Sequence, residues 1–325
     1  MTTGPRTIFC DTSFPDEAAR RLERGLARHD LLLSDRLQTS NLVPSPPDPK
    51  IGRAEIAFGQ PDPQSVLASR ETVWVHLTSA GFGRYDDDAF RRAAAERGFR
   101  LTTSSSVYAA PCAEHALAMI LSSARQLPSC HDDQRTRAWH PATRRRQSFL
   151  LRGQRILLLG FGAIAQQLAK LLAPFEAEVV ALRRTPRGDE SIRTIAVDDL
   201  DEALAGADHV VDLLPGTAET EGLVDEKRFA AMASRAYFYN LGRGSTVDQA
   251  ALVDALRRGA IAGAFLDVTD PEPPPPDDPI WTAPNCYLTP HSAGGRDTEH
   301  LALVEHFLAN LDRFERGEPL ADRVL

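Results

Sequence analysis

What the sequence lacks narrows what the chain can be. No apolar run is long enough to span a bilayer, and the start, MTTGPRTIFCDTS, has neither the basic nor the apolar region of a signal peptide. Positive charge is not in excess. Lys and Arg number 37 against 45 Asp and Glu, a formal net charge of −8, which argues against a general nucleic-acid binder. Cysteine is sparse: Cys10, Cys112, Cys130 and Cys286 lie far apart without metal-ligand spacing. Neither a metal site nor a disulfide framework is expected, and a reducing cytoplasm is. There is no internal repeat. Against these absences stand a hydrophobic content of 42%, enough for well-formed cores, and a length of 325 residues, which suggests two domains.

The most informative stretch is RILLLGFGAIAQQLAKLLAPFEAEVVALRR, residues 155–184. A short apolar run, 156–159, reads as a strand. Gly160, Gly162 and Ala165 then fill a G-x-G-x-x-G/A pattern. A helix follows, with Ile164, Leu168, Leu171 and Leu172 on one face, and 179–182 reads as a second strand. Gly160 permits a tight turn, Gly162 lets backbone approach a pyrophosphate, and Ala165 is small enough for helix to pack on sheet. The helix start offers N–H groups and partial positive charge to phosphates. Where an NAD site carries an acid to hold the ribose hydroxyls, this chain has Arg183 and Arg184, followed by Thr185 and Arg187. A guanidinium pairs with a 2′-phosphate in a fork that a carboxylate would repel, so NADP(H) is the expected cofactor, with NAD(H) as the other possibility.

Around this unit the chain alternates β and α. Strands are predicted at 7–10, 54–58, 73–77 and 99–102, with helices at 15–28, 64–68 and 86–97 and a proline-rich loop at 41–50. A long apolar helix at 113–127 carries Glu114 and His115 near its start, His115 reading as a packing or capping residue. The basic stretch 135–146 reads as a solvated face. Strands at 209–213, 236–240, 261–266 and 286–288 alternate with helices at 226–232 and 248–258. An irregular loop at 267–284 holds four consecutive prolines, and a last helix spans 297–316.

Four stretches carry polar or small groups where α/β sheets place ligands. HLTSAGFG puts Ser79, Ala80 and Gly81 in a small-residue loop whose N–H groups could hold a carboxylate. NLGRGSTVD puts Arg243 between two glycines just past a strand. FLDVTDPEPP puts Asp267 at a strand end and Glu272 among prolines. LTPHSAGG puts His291 after a proline. Singly, each could be a surface cation, an exposed acid or a helix cap. Together, an Arg, a carboxylate and a His are what reduction of a 2-oxo acid requires. A cation holds the substrate carboxylate, a donor protonates the carbonyl oxygen as hydride arrives at carbon, and an acid orients that donor and favours its protonated form.

These motifs, with AEHALAMILSSAR and LLPGTAETEGLV, resemble those of the D-isomer-specific 2-hydroxyacid dehydrogenase family over nearly the whole chain. The resemblance implies an α/β architecture: a Rossmann-type doubly wound parallel sheet with a second, smaller flavodoxin-like α/β lobe. Residues 105–291 would form the dinucleotide-binding domain, and 1–104 with 292–325 the substrate lobe, completed by the C-terminal helix. It implies Arg243 as substrate-binding residue, Glu272 as the partner of His291, and His291 as acid/base. Ser79, Ala80 and Gly81 would bind the substrate carboxylate. Gly160, Phe161, Gly162, Ala163, Ile164, Arg183, Arg184, Leu214, Pro215, Leu241, Asp267 and His291 would line the cofactor. A homodimer is implied, with a small 2-oxo or 2-hydroxy acid as partner and neither nucleic acid nor membrane; no regulatory domain is expected after Leu325, unlike many phosphoglycerate dehydrogenases. Glu272 argues against the formate-oxidising relatives, which replace it, and the absence of lysine between Lys50 and Lys170 against the phosphite-oxidising ones. The arginine pair resembles the NADPH-preferring glyoxylate/hydroxypyruvate reductases. The alternative is a dinucleotide-sensing corepressor of the C-terminal-binding type, with little or no turnover.

Overall fold

A computed structural model describes residues 4–40 and 45–325; the first part of the proline-rich loop, 41–44, lies outside them. The chain divides into two compact units, Met1–Tyr108 with Gly295–Leu325, and Ala109–Gly294.

Among the described residues the first unit holds five parallel strands, β1 (Thr7–Thr12), β2 (Asp30–Gln38), β3 (Ile56–Gly59), β4 (Trp74–Leu77) and β5 (Arg100–Thr102), in the order β2-β1-β3-β4-β5. This is the flavodoxin-like order. Helices α1 (Asp16–Gly25), α2 (Pro63–Ala68) and α3 (Asp88–Arg97) connect the strands. The central strands are mostly apolar because both sheet faces are covered, with Asp11 of β1 and His76 of β4 buried among them. Successive side chains point to opposite faces. Ile8, Ile56 and Trp74 therefore join a core with Leu22 of α1 and with Val304, Phe307 and Leu311 of the C-terminal helix Glu299–Arg316. Their neighbours Phe9, Ala57 and Val75 join another with Phe90, Phe99 and Leu101.

Two expectations need correction here. The helix expected to run to residue 28 ends at Gly25, and β2 follows where no strand was expected. β2 is an edge strand with a single buried residue, Ser34, so it carries no alternation to read. The apolar helix expected at 113 begins at Ser105, as α4 (Ser105–Ala124), and runs through Pro111. Proline removes one helical hydrogen bond and reads as a breaker. The true start is held from far away in sequence: Asp322 accepts the Ser106 N–H at 2.8 Å and its hydroxyl at 2.7 Å.

In the second unit the basic stretch belongs to two short helices, α5 (Leu127–Arg135) and α6 (Pro141–Gln147), joined by a two-pronged Arg144–Asp133 pair at 2.7 and 2.8 Å. Seven parallel strands follow, β6 (Arg155–Leu159), β7 (Glu178–Leu182), β8 (Arg193–Ile195), β9 (His209–Asp212), β10 (Tyr237–Asn240), β11 (Gly263–Leu266) and β12 (Cys286–Leu288). Between them lie α7 (Ala163–Leu172), α8 (Leu200–Gly206), α9 (Glu226–Ala231) and α10 (Gln249–Arg257). The order is β12-β11-β10-β9-β6-β7-β8. Counted within the unit this is 3-2-1-4-5-6-7, the dinucleotide-binding order, whose direction reverses between β6 and β9. Neither β8 nor α8 was foreseen. Two parallel α/β sheets, one of them doubly wound, are the expected fold class.

Candidate active site

The glycine turn meets the demands of a pyrophosphate. Gly160 has φ +100°, a left-handed backbone that side chains rarely adopt. A Cβ on Gly162 would meet no atom within 4 Å, so the space above it is open. Gly162 is also the N-cap of α7 and provides no side-chain cap, which leaves first-turn N–H groups for an anion. Ala165 is fully buried. Phe161, Ala163 and Ile164 lie on the exposed and half-buried side of this turn. Leu214 and Leu241 are buried at the ends of β9 and β10, and Pro215 is exposed beside Leu214.

At the end of β7 each arginine already has an acid. Arg183 Nη1 lies 3.4 Å from Glu190, and Arg184 Nη2 lies 2.5 Å from Glu219. Glu190 also accepts the N–H groups of Arg187 and Gly188 at 2.8 Å each.

The G-R-G turn after β10 is built by close approach. A Cβ on Gly242 would sit 2.6 Å from the Leu214 carbonyl oxygen, and one on Gly244 would sit 1.9 Å from that of Thr269. Only glycines let this loop thread between its two neighbours. Asn240, buried, clamps it: its amide donates to the Arg243 carbonyl at 3.0 Å and its oxygen accepts the Gly242 N–H at 2.9 Å. Thr246 Oγ1 lies 2.6 Å from the Arg243 carbonyl and 2.5 Å from the Asp212 carboxyl, bridging the two. Arg243 itself is half-buried, with Nη1 on the Gly242 carbonyl at 2.7 Å. Burial lowers its pKa, and the Glu272 charge opposes that shift. A guanidinium does not deprotonate in proteins, so the shift means a desolvated cation that an incoming anion would relieve.

Glu272 and His291 meet. Nδ1 of His291 lies 2.6 Å from the Glu272 carboxylate. Pro271 and Pro273 bracket Glu272 and restrict its backbone. His291 has φ +50°, unfavourable for a side chain with a Cβ, and such strain persists only where the surroundings impose it. Here they do: the His291 N–H donates to the Asp267 carbonyl at 2.9 Å. The Asp267 carboxylate, 3% exposed, accepts the Thr289 hydroxyl at 2.6 Å and the N–H groups of Ser292 and Ala293 at 2.9 and 3.0 Å. Asp267 therefore braces both sides of the loop that carries His291.

Sequence reasoning passed over three contributors. His115 lies in the middle of α4 rather than near its start, and Nε2 is 3.2 Å from the Thr289 hydroxyl and 4.0 Å from Asp267. Asp212 is fully buried at the end of β9 and joins the Leu214 N–H to Thr246. Burial pushes its carboxyl up to about 7. Thr246 was read only as part of a motif. A buried acid at a strand end was the available signal for Asp212; nothing local marked the other two.

In the first unit, Ser79, Ala80 and Gly81 form the turn after β4. Ser79 Oγ donates to the Gly81 carbonyl at 2.6 Å and accepts from Gln60 at 2.9 Å. Neither Ala80 nor Gly81 donates its N–H to another described residue. Among the described residues there is no cluster of His, Cys, Asp and Glu fit for a metal ion, and no helix long and apolar enough to cross a membrane.

Residues 117–293 match the family described as D-isomer specific 2-hydroxyacid dehydrogenase, NAD binding domain. The human glyoxylate reductase/hydroxypyruvate reductase is 33% identical over 235 residues, 69% of this chain and 70% of that protein. A D-isomer specific 2-hydroxyacid dehydrogenase from Xanthobacter autotrophicus Py2, solved with NADPH and MES, superposes with a TM-score of 0.81 at 26% identity, covering 99% of this chain and 98% of the other. An NADPH-dependent glyoxylate/hydroxypyruvate reductase from Sinorhizobium meliloti, solved with NADP and malonate, gives 0.75 at 26% identity, covering 99% and 97%. These relatives are enzymes, and they lend no support to the corepressor alternative.

Proposed function

The chain belongs to the D-isomer specific 2-hydroxyacid dehydrogenase family, and from that premise we propose that it works as an NADP(H)-preferring reductase of a small 2-oxo acid such as glyoxylate or hydroxypyruvate. The observation that carries the reading is the 2.6 Å His291–Glu272 pair held in the same unit as a desolvated Arg243 and an uncapped glycine turn. A nicotinamide, when bound, supplies the hydride. The chain supplies the rest. Arg243 takes the substrate carboxylate in a charge-assisted fork, and the N–H groups of the Ser79–Gly81 turn are likewise assigned to carboxylate binding. Nε2 of protonated His291 donates to the carbonyl oxygen while Glu272 holds the ring through Nδ1 and stabilises its charge. Gly160, Gly162 and the start of α7 take the pyrophosphate.

The preference for NADP(H) is supported by arginines, not acids, at the end of β7. A homodimer is proposed on the resemblance, supported by Trp139 and Leu150, 88% and 68% exposed near α6. A cytoplasmic setting is supported by four free cysteines.

The test is a grid: oxidation of NADPH and of NADH, followed by absorbance, with glyoxylate, hydroxypyruvate, pyruvate and bulkier 2-oxo acids. Turnover mainly with NADPH on a small acid is expected. Turnover confined to bulky acids would refute the substrate class, and a preference for NADH would refute the cofactor assignment.

A further inference from the structure

The two arginines after β7 are not equivalent, and their acids make them so. Arg183 is committed. Its partner Glu190 has a side chain only 4% exposed, and it holds two backbone N–H groups of the 187–190 turn as well as the guanidinium. Withdrawing Arg183 would leave an inward-facing carboxylate without its cation, which is costly. Arg184 is held differently. It and Glu219 are 76% and 65% exposed, and an ion pair of that kind is weak and screened by salt.

The place of the weak pair matters more than its strength. Arg184 follows β7, and Glu219 lies in the turn after β9. In the sheet order β9-β6-β7, strand β6 separates them and ends at the Gly160–Gly162 turn. Neighbouring strands lie about 4.8 Å apart, so the pair bridges two strand spacings at the C-terminal end of β6. That is the crevice in which this fold holds a dinucleotide.

We propose that Glu219 is a cofactor-selecting residue: it closes Arg184 across the dinucleotide crevice as an exchangeable latch, which the 2′-phosphate of NADP(H) opens by taking the guanidinium in its place. Glu190 withholds Arg183 from that exchange, so the discrimination falls to Arg184 alone. A phosphate monoester carries more charge than a carboxylate and offers the same fork, so the exchange favours the phosphate. NADH has no group to take Arg184, and with it the latch stays shut. This rests on the NADP(H) reading above.

The experiment is equilibrium binding of NADPH and NADH, without substrate, to the full-length protein and to E219Q, R184A, R184A/E219Q and R183A, each also melted thermally. R184A should weaken NADPH by about 10- to 100-fold, the worth of a hydrogen-bonded charge, and leave NADH unchanged. E219Q should tighten NADPH by about two- to fivefold, the worth of the exposed pair it removes, without tightening NADH. In the R184A background E219Q should have no effect on NADPH, because the latch is already gone. R183A should lower the melting temperature while R184A and E219Q do not.

If E219Q tightens NADPH equally with and without Arg184, Glu219 acts only as a distant repulsive charge and the latch is refuted. It is refuted too if E219Q moves both cofactors alike, or if R183A rather than R184A changes the preference. A wild-type protein that binds NADH at least as tightly as NADPH, with R184A moving neither, would instead overturn the NADP(H) reading itself.

Discussion

Replacing Asp267 by Asn tests the support of His291 directly. The carboxylate accepts three donors: Oδ1 takes the Thr289 hydroxyl and the Ser292 N–H, and Oδ2 takes the Ala293 N–H. An amide keeps one oxygen and turns the other acceptor into a donor. The best orientation keeps the oxygen at the Oδ1 position and points the new NH2 at the Ala293 N–H. One buried donor then faces another, and the two surviving hydrogen bonds lose their charge assistance. A buried donor left without a partner costs about 1–3 kcal/mol, and a hydrogen bond to a charged group is worth about 1.5–3 kcal/mol against about 1 for a neutral one. Summed over one unpartnered donor and two bonds without charge assistance, the expected loss is about 2–7 kcal/mol. For a unit of this size, at roughly 2–4 °C per kcal/mol, that corresponds to a fall in melting temperature of at least about 4 °C. Melting without cofactor isolates the brace from any contact Asp267 makes with a nicotinamide. Turnover, measured well below the new midpoint, should also fall, because a strained His291 backbone relaxes once its supports loosen. A D267N protein that melts within a degree of the wild type and keeps its kcat would refute the bracing argument. T289V, which removes one hydroxyl donor and leaves the charge, should show a smaller effect of the same sign.

The remaining predictions concern the proposed chemistry and one buried acid. His291→Ala should lower kcat by about 100- to 10,000-fold with cofactor binding retained, measured by steady-state rates alongside cofactor titration; unchanged turnover would remove His291 from the mechanism. Arg243→Lys should raise KM for the 2-oxo acid at least tenfold, by the loss of roughly 1.5–3 kcal/mol in a fork that a point charge does not reproduce, and equal KM values would show that Arg243 does not hold the carboxylate. Asp212 gives a pH signature. Burial raises its folded pKa to about 7, above the ordinary carboxylate value, so the fold favours the protonated form. Its contribution to stability is full below about pH 4 and is lost as pH rises through 7. The stability of wild type relative to D212N, from denaturant titrations between pH 4.5 and 8, should fall across that window by at most about 4 kcal/mol. A pH-independent difference would mean that Asp212 is held no differently in the folded and unfolded chains.

The parts of this molecule legible in the sequence share one property: their cause lies within a few residues of their effect. The central strands are mostly apolar because both faces of each sheet are covered. Gly160, Gly162 and Ala165 are a turn specification in six residues. Gly242 and Gly244 announce a loop that must pass close to backbone, although which backbone, Leu214 and Thr269, was not visible. What stayed hidden is set by partners far along the chain. The edge strand β2 had no buried face to give it a period. The start of α4 depends on Asp322, more than two hundred residues away, and Pro111 masked it. His115 gains its role only when Thr289 arrives beside it.

The arginines make the consequence sharp. Read locally, Arg183 and Arg184 are two equal cations waiting for a phosphate. Read with Glu190 and Glu219 in place, one is tied to a shielded acid and the other to an exposed one, the basis of the latch proposed above. The sign of the charge was local information and pointed towards a phosphate. How much selectivity that charge yields is a difference between two partners of Arg184, phosphate and Glu219, and the second of these lies 35 residues downstream on another strand's loop. On the latch proposed above, the cofactor preference of this chain is set by competition at the arginine as well as by its presence. A chain with the same two arginines and no acid at the position of Glu219 should bind NADPH more tightly, and its binding should be less sensitive to changes at the loop after β9.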